Sequence, residues 1–151
     1  MIGTAATIAS GAYERAIKKA DRSVSVYGAS CPLFVPLVEE GWLDGGITRE
    51  VAGIYLRPLR ARRVDTLILG CTHYPLLKRP ISSIMGKGVG LIDSAREVAA
   101  EAASVLEAAG ALNRGRRQGR DAFFVSDEPE RFIKIGERFL KRKIKCARRA
   151  V

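Results

Sequence analysis

The 151 residues suffice for one compact domain with a real core and are too few for two full ones. At 47% hydrophobic and 28% charged the composition is that of a globular chain; no stretch reaches the roughly 20 apolar residues of a membrane span, and no basic region precedes an apolar one at the start, as a secretory signal would require. The net charge of +10 is uneven: residues 1–109 hold 13 Lys/Arg against 11 Asp/Glu, and residues 110–151 hold 13 against 5.

Residues 1–6 have the apolar start and small residues of a strand end. Ser10 is placed to cap a helix in which Tyr13, Ala16, Ile17 and Ala20 share one face. Residues 24–29 read as a second strand. After Cys31-Pro32 a short helix is expected to run up to Glu40; Gly41, Gly45 and Gly46 mark a loop, and Thr48-Arg49-Glu50 open a helix that Pro58 should kink or end. Trp42 and Tyr55 read as core.

Residues 64–69 form the strongest strand, a branched-apolar run of the kind buried on both faces of a parallel sheet. Leu91 and Ile92 make a weaker one. Ser94 and Glu97 then resemble a capping box, ahead of a helix with Val98, Ala102, Val105, Leu106 and Ala109 facing inward and Gly110 at its close. Residues 113–119 are a basic, glycine-containing linker. Residues 122–125 are a further strand, and Asp127 with Glu130 should start a helix that buries Phe132, Gly136, Phe139 and Leu140. The alternation of strand and helix predicts an α/β fold, a doubly wound parallel sheet with helices on both faces.

The basic excess belongs to the tail, in Arg114, Arg116, Arg117, Arg120 and the run Lys141-Arg142-Lys143-Ile144-Lys145. The pattern is that of solvated surface and linker. Nucleic acid is a poor fit, because the rest of the chain is near neutral and no aromatics interleave with the run. The three cysteines, at irregular spacing and without a CxxC pair, make neither a disulfide framework nor a zinc site, which fits a reducing cytoplasm.

In open α/β sheets, ligands bind beyond the carboxyl ends of the strands. Three segments fall there: residues 3–7, residues 29–31 and residues 70–73. Their small residues, hydroxyls, thiols and backbone N–H groups suit a small anion such as a carboxylate. Cys71, at a strand end ahead of an expected helix N-terminus, is placed for a favoured thiolate, and His73, the one histidine, could stabilise it or relay its proton. An inert buried thiol is the competing reading, and spacing alone does not separate the two. Cys31, before proline and apolar residues, reads as buried and inert. Cys146 reads as an exposed thiol, and Glu39 and Glu40 as a surface pair ending a helix.

The stretch Gly70-Cys71-Thr72-His73-Tyr74-Pro75-Leu76-Leu77 resembles the second cysteine motif of the aspartate/glutamate racemase superfamily. Residues 31–41 (Cys-Pro-Leu-Phe-Val-Pro-Leu-Val-Glu-Glu-Gly) and 3–13 (Gly-Thr-Ala-Ala-Thr-Ile-Ala-Ser-Gly-Ala-Tyr) narrow the resemblance to the glutamate racemases. It implies an isomerase that inverts glutamate at Cα without a cofactor, in the cytoplasm, for peptidoglycan synthesis. Cys71 would deprotonate L-glutamate with His73 as acid/base helper. Glu39, or its neighbour Glu40, would support His73, and Thr72, Thr4 and Thr7 would hold the substrate.

The Asp-Ser motif near the family's amino terminus and its Cys-Asn-Thr motif, which carries the first cysteine, have no counterpart ahead of the matched segments here. The resemblance therefore implies the second half of a racemase, inactive alone: residues 1–112 as the second α/β lobe and residues 113–151 as a basic linker plus a strand and helix that pack on a first lobe. The partners it implies are glutamate and a separate N-terminal lobe, with a homodimer left open and no membrane. A non-catalytic lobe that binds a dicarboxylate or a partner is the alternative.

Overall fold

In the computed structural model, which describes residues 1–115 and 119–150, four parallel strands lie side by side: β1 (Ile2–Gly3), β2 (Ala29–Ser30), β3 (Thr66–Gly70) and β4 (Gly90–Asp93), in the order β2-β1-β3-β4. They belong to the first of two units, Met1–Ala111 and Leu112–Val151. Arg116 and Arg117 of the basic linker lie outside the described residues. Among those residues no helix is long and apolar enough to cross a membrane.

Helix α1 (Ala5–Ala9) was not foreseen and begins within the residues read as a strand end, whereas α2 (Ala12–Ala20), α3 (Phe34–Glu40), α4 (Gly46–Ala61), α5 (Lys78–Met85) and α6 (Ser94–Ala108) alternate with the strands as the sequence predicts. Leu67 and Leu69 of β3 are fully buried against a cluster that includes Phe34, Val38, Leu56 and Ile81, from α3, α4 and α5. Ile68, pointing the other way, is only half-buried and shares a cavity wall with Ile17 of α2, so β3 is not buried equally on both faces.

The differences from the sequence reading have local causes. The second strand is two residues long rather than six, because its ladder partner β1 offers only Ile2 and Gly3. Ser10 caps Ala12 from the end of α1, its Oγ accepting that N–H at 3.3 Å, with left-handed Gly11 between the two helices. Helix α4 continues through Pro58 to Ala61. So near the end, the proline removes only the bond its missing N–H would have given to Ile54.

Trp42 is 52% exposed rather than core. Left-handed Gly41 ends α3 in a Schellman turn, Gly41 N donating to Val38 O and Trp42 N to Leu37 O, which carries the indole outward. The cap of α6 is Asp93, whose carboxylate accepts from Ala95 N at 3.0 Å, rather than Ser94. That helix buries none of its residues, and Val98, Val105 and Leu106 are exposed.

The second unit holds β5 (Phe123–Val125), α7 (Pro129–Leu140) and β6 (Ala147–Arg149), with β5 and β6 parallel. The last strand, inside the basic tail, was not foreseen. Helix α7 follows left-handed Glu128 and buries no residue fully; Phe132, Phe139 and Leu140 are exposed, against expectation. Ile144 is the buried residue here, and it fits because Gly136 lacks a side chain: a Cβ there would stand 2.8 Å from Ile144 Cδ1.

Candidate active site

Gly3 is in register with both Ser30 and Gly70, so Thr4, Cys31 and Cys71 are the next residues beyond three adjacent strand ends. Neighbouring strands lie about 4.8 Å apart, which gathers the three segments along one edge of the sheet. Glycine at position 70 is a steric requirement: a Cβ there would meet the Ile2 carbonyl oxygen at 2.8 Å. The absence of a side chain lets β3 press against β1 and fixes where Cys71 emerges.

Thr4 and Thr7 form one side of this edge. The Thr4 hydroxyl accepts from Thr7 N at 3.2 Å, capping α1, and lies 2.9 Å from the Thr7 hydroxyl. Both residues are partly buried.

Cys71 is partly buried against the core cluster. It does not stand at the N-terminus of an α-helix, as the sequence reading expected. A 3-10 turn, Tyr74–Leu77, intervenes before α5. Pro75 has no N–H to give the Cys71 carbonyl, which instead accepts from Tyr74 N at 3.2 Å, the tighter i+3 pattern.

His73 Nε2 lies 3.3 Å from Oε1 of Glu39, with both side chains 24% exposed, while Glu40 is exposed. On the other side of the ring, Nδ1 lies 3.4 Å from the hydroxyl of Thr72, itself an exposed residue. Nε2 thus faces a carboxylate and Nδ1 a hydroxyl. Residues 34 positions apart, on α3 and on the loop after β3, thus meet at one point.

Cys31 is fully buried, its Sγ 3.8 Å from Ala29 O, and burial pushes its thiol up to about 12. It is a packing residue. Cys146 is exposed in the second unit. Among the described residues no group of three or more His, Cys, Asp or Glu could hold a metal ion.

Two features of this edge are not visible in the sequence. Tyr74 is fully buried and its hydroxyl donates to Cys31 O at 3.0 Å, 43 residues away. Asp93 is paired with Lys78 at 2.6 Å, and Ser94 Oγ donates to Leu69 O at 3.2 Å, which ties the start of α5 and the start of α6 to the end of β3. Each depends on a partner that only folding brings near. Together, a thiol, an imidazole backed by a carboxylate and a row of hydroxyls can move a proton on one face of a small anionic molecule.

Residues 1–103 match the family model for Asp/Glu/Hydantoin racemase. The chain is 49% identical over 144 residues, 95% of its length, to the glutamate racemase of Geobacter metallireducens, and 47% identical over 142 residues to that of Neisseria gonorrhoeae. It spans about half the length of these relatives, 53% and 52%. Among solved structures, it superposes on glutamate racemase from Francisella tularensis in complex with D-glutamate with a TM-score of 0.90 at 36% identity, covering 99% of this chain and 56% of that one. The Thermus thermophilus glutamate racemase in complex with β-chloro-D-alanine gives 0.84 at 43% identity, with 99% and 54% covered.

Proposed function

The chain belongs to the Asp/Glu/hydantoin racemase family, and we propose that it supplies one face of a cofactor-independent, two-base site that interconverts L- and D-glutamate. The observation that carries this reading is the Glu39–His73 pair, 3.3 Å apart, two residues from a partly buried thiol at the carboxyl end of β3. The names of the relatives and the D-glutamate in one of their structures support glutamate as the substrate.

In this scheme the Cys71 thiolate takes the Cα proton of L-glutamate. The electron pair left behind spreads into the adjacent carboxylate, where hydroxyls of Thr4, Thr7 and Thr72 meet the growing charge. His73, oriented by Glu39, exchanges the proton with Cys71 and resets it. Inversion needs a second thiol on the opposite face. Cys31, fully buried and in its neutral form, is unsuited to the task, and Cys146 belongs to no motif of the family.

The 151-residue chain by itself therefore makes no D-glutamate, and the second thiol comes from a complementary lobe. Residues 113–151 pack on that lobe: the exposed Phe124, Phe132, Phe139 and Leu140 are apolar surface suited to burial there. The physiological product is D-glutamate for peptidoglycan, made in the cytoplasm. The test is chiral analysis of glutamate incubated with the purified chain. Failure to convert either enantiomer is expected. Full-rate inversion would overturn the half-site reading, and glutamate binding untouched by Cys71→Ser, with no proton exchange, would favour a lobe that only binds.

A further inference from the structure

We infer that Tyr74 is a positioning residue, a buried clamp that holds the two segments carrying the Glu39–His73 pair in one arrangement; the inference rests on the reading of that pair given above. The pair is built from two pieces of chain with no covalent reason to meet. Glu39 sits on α3, which begins at Phe34, whereas His73 immediately precedes the 3-10 turn that begins at Tyr74. Something must fix one against the other.

Three contacts of Tyr74 do so. Its hydroxyl donates to Cys31 O at 3.0 Å, and the same carbonyl accepts from Phe34 N at 3.1 Å, so the phenol is attached to the turn that starts α3. Its ring meets Phe34 edge to face, with centroids 5.2 Å apart and planes at 86°. Its backbone N–H donates to Cys71 O at 3.2 Å. One fully buried side chain thus touches the first turn of α3 while its own backbone closes the loop holding Cys71, Thr72 and His73. The titratable groups facing the phenol are Cys31, Cys71 and Tyr55. The hydrogen bond its hydroxyl makes among the described residues is the one to Cys31 O, which sets its orientation.

Removing that hydroxyl leaves the Cys31 carbonyl with one bond instead of two and keeps the ring in place. The expected loss is therefore registry between α3 and the loop rather than collapse of the core. Because the chain contains a single histidine, its ring nitrogens can be read without ambiguity. The experiment is the two-bond ¹⁵N–¹H spectrum of the neutral imidazole in the full 151-residue chain. It compares the unmodified protein with Tyr74→Phe, Glu39→Ala as the reference for a lost pair, and Met85→Ala, a buried residue at the far end of α5, as a packing control, all at a temperature where melting curves show them folded.

The Nε2–H form is expected in the unmodified chain. In Tyr74→Phe the ring shifts should move at least half of the way to those of Glu39→Ala, and in Met85→Ala they should stay put although stability falls. Shifts in Tyr74→Phe that match the unmodified chain would overturn the clamp while leaving the Glu39–His73 pair standing. Shifts that do not respond to Glu39→Ala would overturn the pair and the clamp together. Should Tyr74→Phe prove too unstable, the unmodified chain decides: a Tyr74 hydroxyl proton seen by NMR in slow exchange and coupled through the hydrogen bond to the Cys31 carbonyl supports the clamp, and a hydroxyl proton exchanging as fast as that of an exposed tyrosine refutes it.

Discussion

Oε1 of Glu39 stands 3.3 Å from Nε2 of His73, a contact between the last turn of a short helix and the loop beyond a strand. A carboxylate stands by one nitrogen of the ring and the Thr72 hydroxyl by the other. If His73 moves protons to and from Cys71, then His73→Gln should slow α-proton exchange of L-glutamate by roughly a hundredfold, the low end of what a positioned acid–base group contributes. Glu39→Gln, which retains an acceptor and loses the charge, should cost less, about tenfold. The check is the exchange rate followed by proton NMR in D2O, with the Glu40→Gln variant, altered at an exposed neighbour, keeping the parent rate.

Gly70→Ala places a methyl carbon 2.8 Å from the Ile2 carbonyl oxygen and 3.1 Å from Met1 Cε. Backbone cannot yield there without opening the β1–β3 ladder. The variant should lose about 1–3 kcal/mol in urea titrations, the usual range for overpacking. Since Cys71 is the next residue, its alkylation rate should also change, whereas that of Cys146 should not.

The three thiols should label differently. Burial pushes Cys31 up to about 12 and leaves it fully enclosed, while Cys71 is partly open and Cys146 exposed. At pH 8 iodoacetamide should modify Cys71 and Cys146 in the folded chain, and Cys31 only after urea is added. Peptide mass spectrometry reads this directly.

Asp93 gives a pH prediction. Burial works to raise its carboxyl, but the Lys78 ammonium at 2.6 Å and the Ala95 N–H prevail and hold it below the usual carboxylate range. A depressed folded-state value means that the stabilisation is whole above the unfolded-state value of about 3.9, and is lost as pH falls from there through the folded value. Asp93→Asn should cost about 1–2 kcal/mol at pH 7, from the weakened cap and the lost partner of Lys78. The gap between the two proteins should narrow below about pH 4, which urea titrations at several pH values will show.

What the sequence made legible follows from range. The run at residues 64–69 and the Gly70-Cys71-Thr72-His73 motif are contiguous, so the strand and the position of the thiol beyond it could be read directly. Glu39 and Glu40 could not be told apart, because the choice depends on which turn of α3 faces a loop more than 30 residues on; the fold puts Glu39 there. Tyr74 looked like part of a motif and nothing more, since its partner carbonyl at Cys31 is remote in sequence.

The errors share another cause. Periodicity places an apolar stripe on a helix without saying what covers it, and the stripes of α6 and α7 that were expected to face inward are exposed in their own units. Likewise, the run at residues 24–29 reports strand propensity, whereas the length of β2 is set by the two residues of β1 that pair with it.

The central claim is that Cys71 works on one face of glutamate and that a second thiol from elsewhere completes the reaction. The most direct measurement is deuterium uptake at Cα when the purified chain is incubated in D2O separately with L- and with D-glutamate. The account predicts slow uptake from L-glutamate alone, with retention of configuration, abolished by Cys71→Ser. Equal uptake from both enantiomers, or uptake that survives Cys71→Ser, would contradict it.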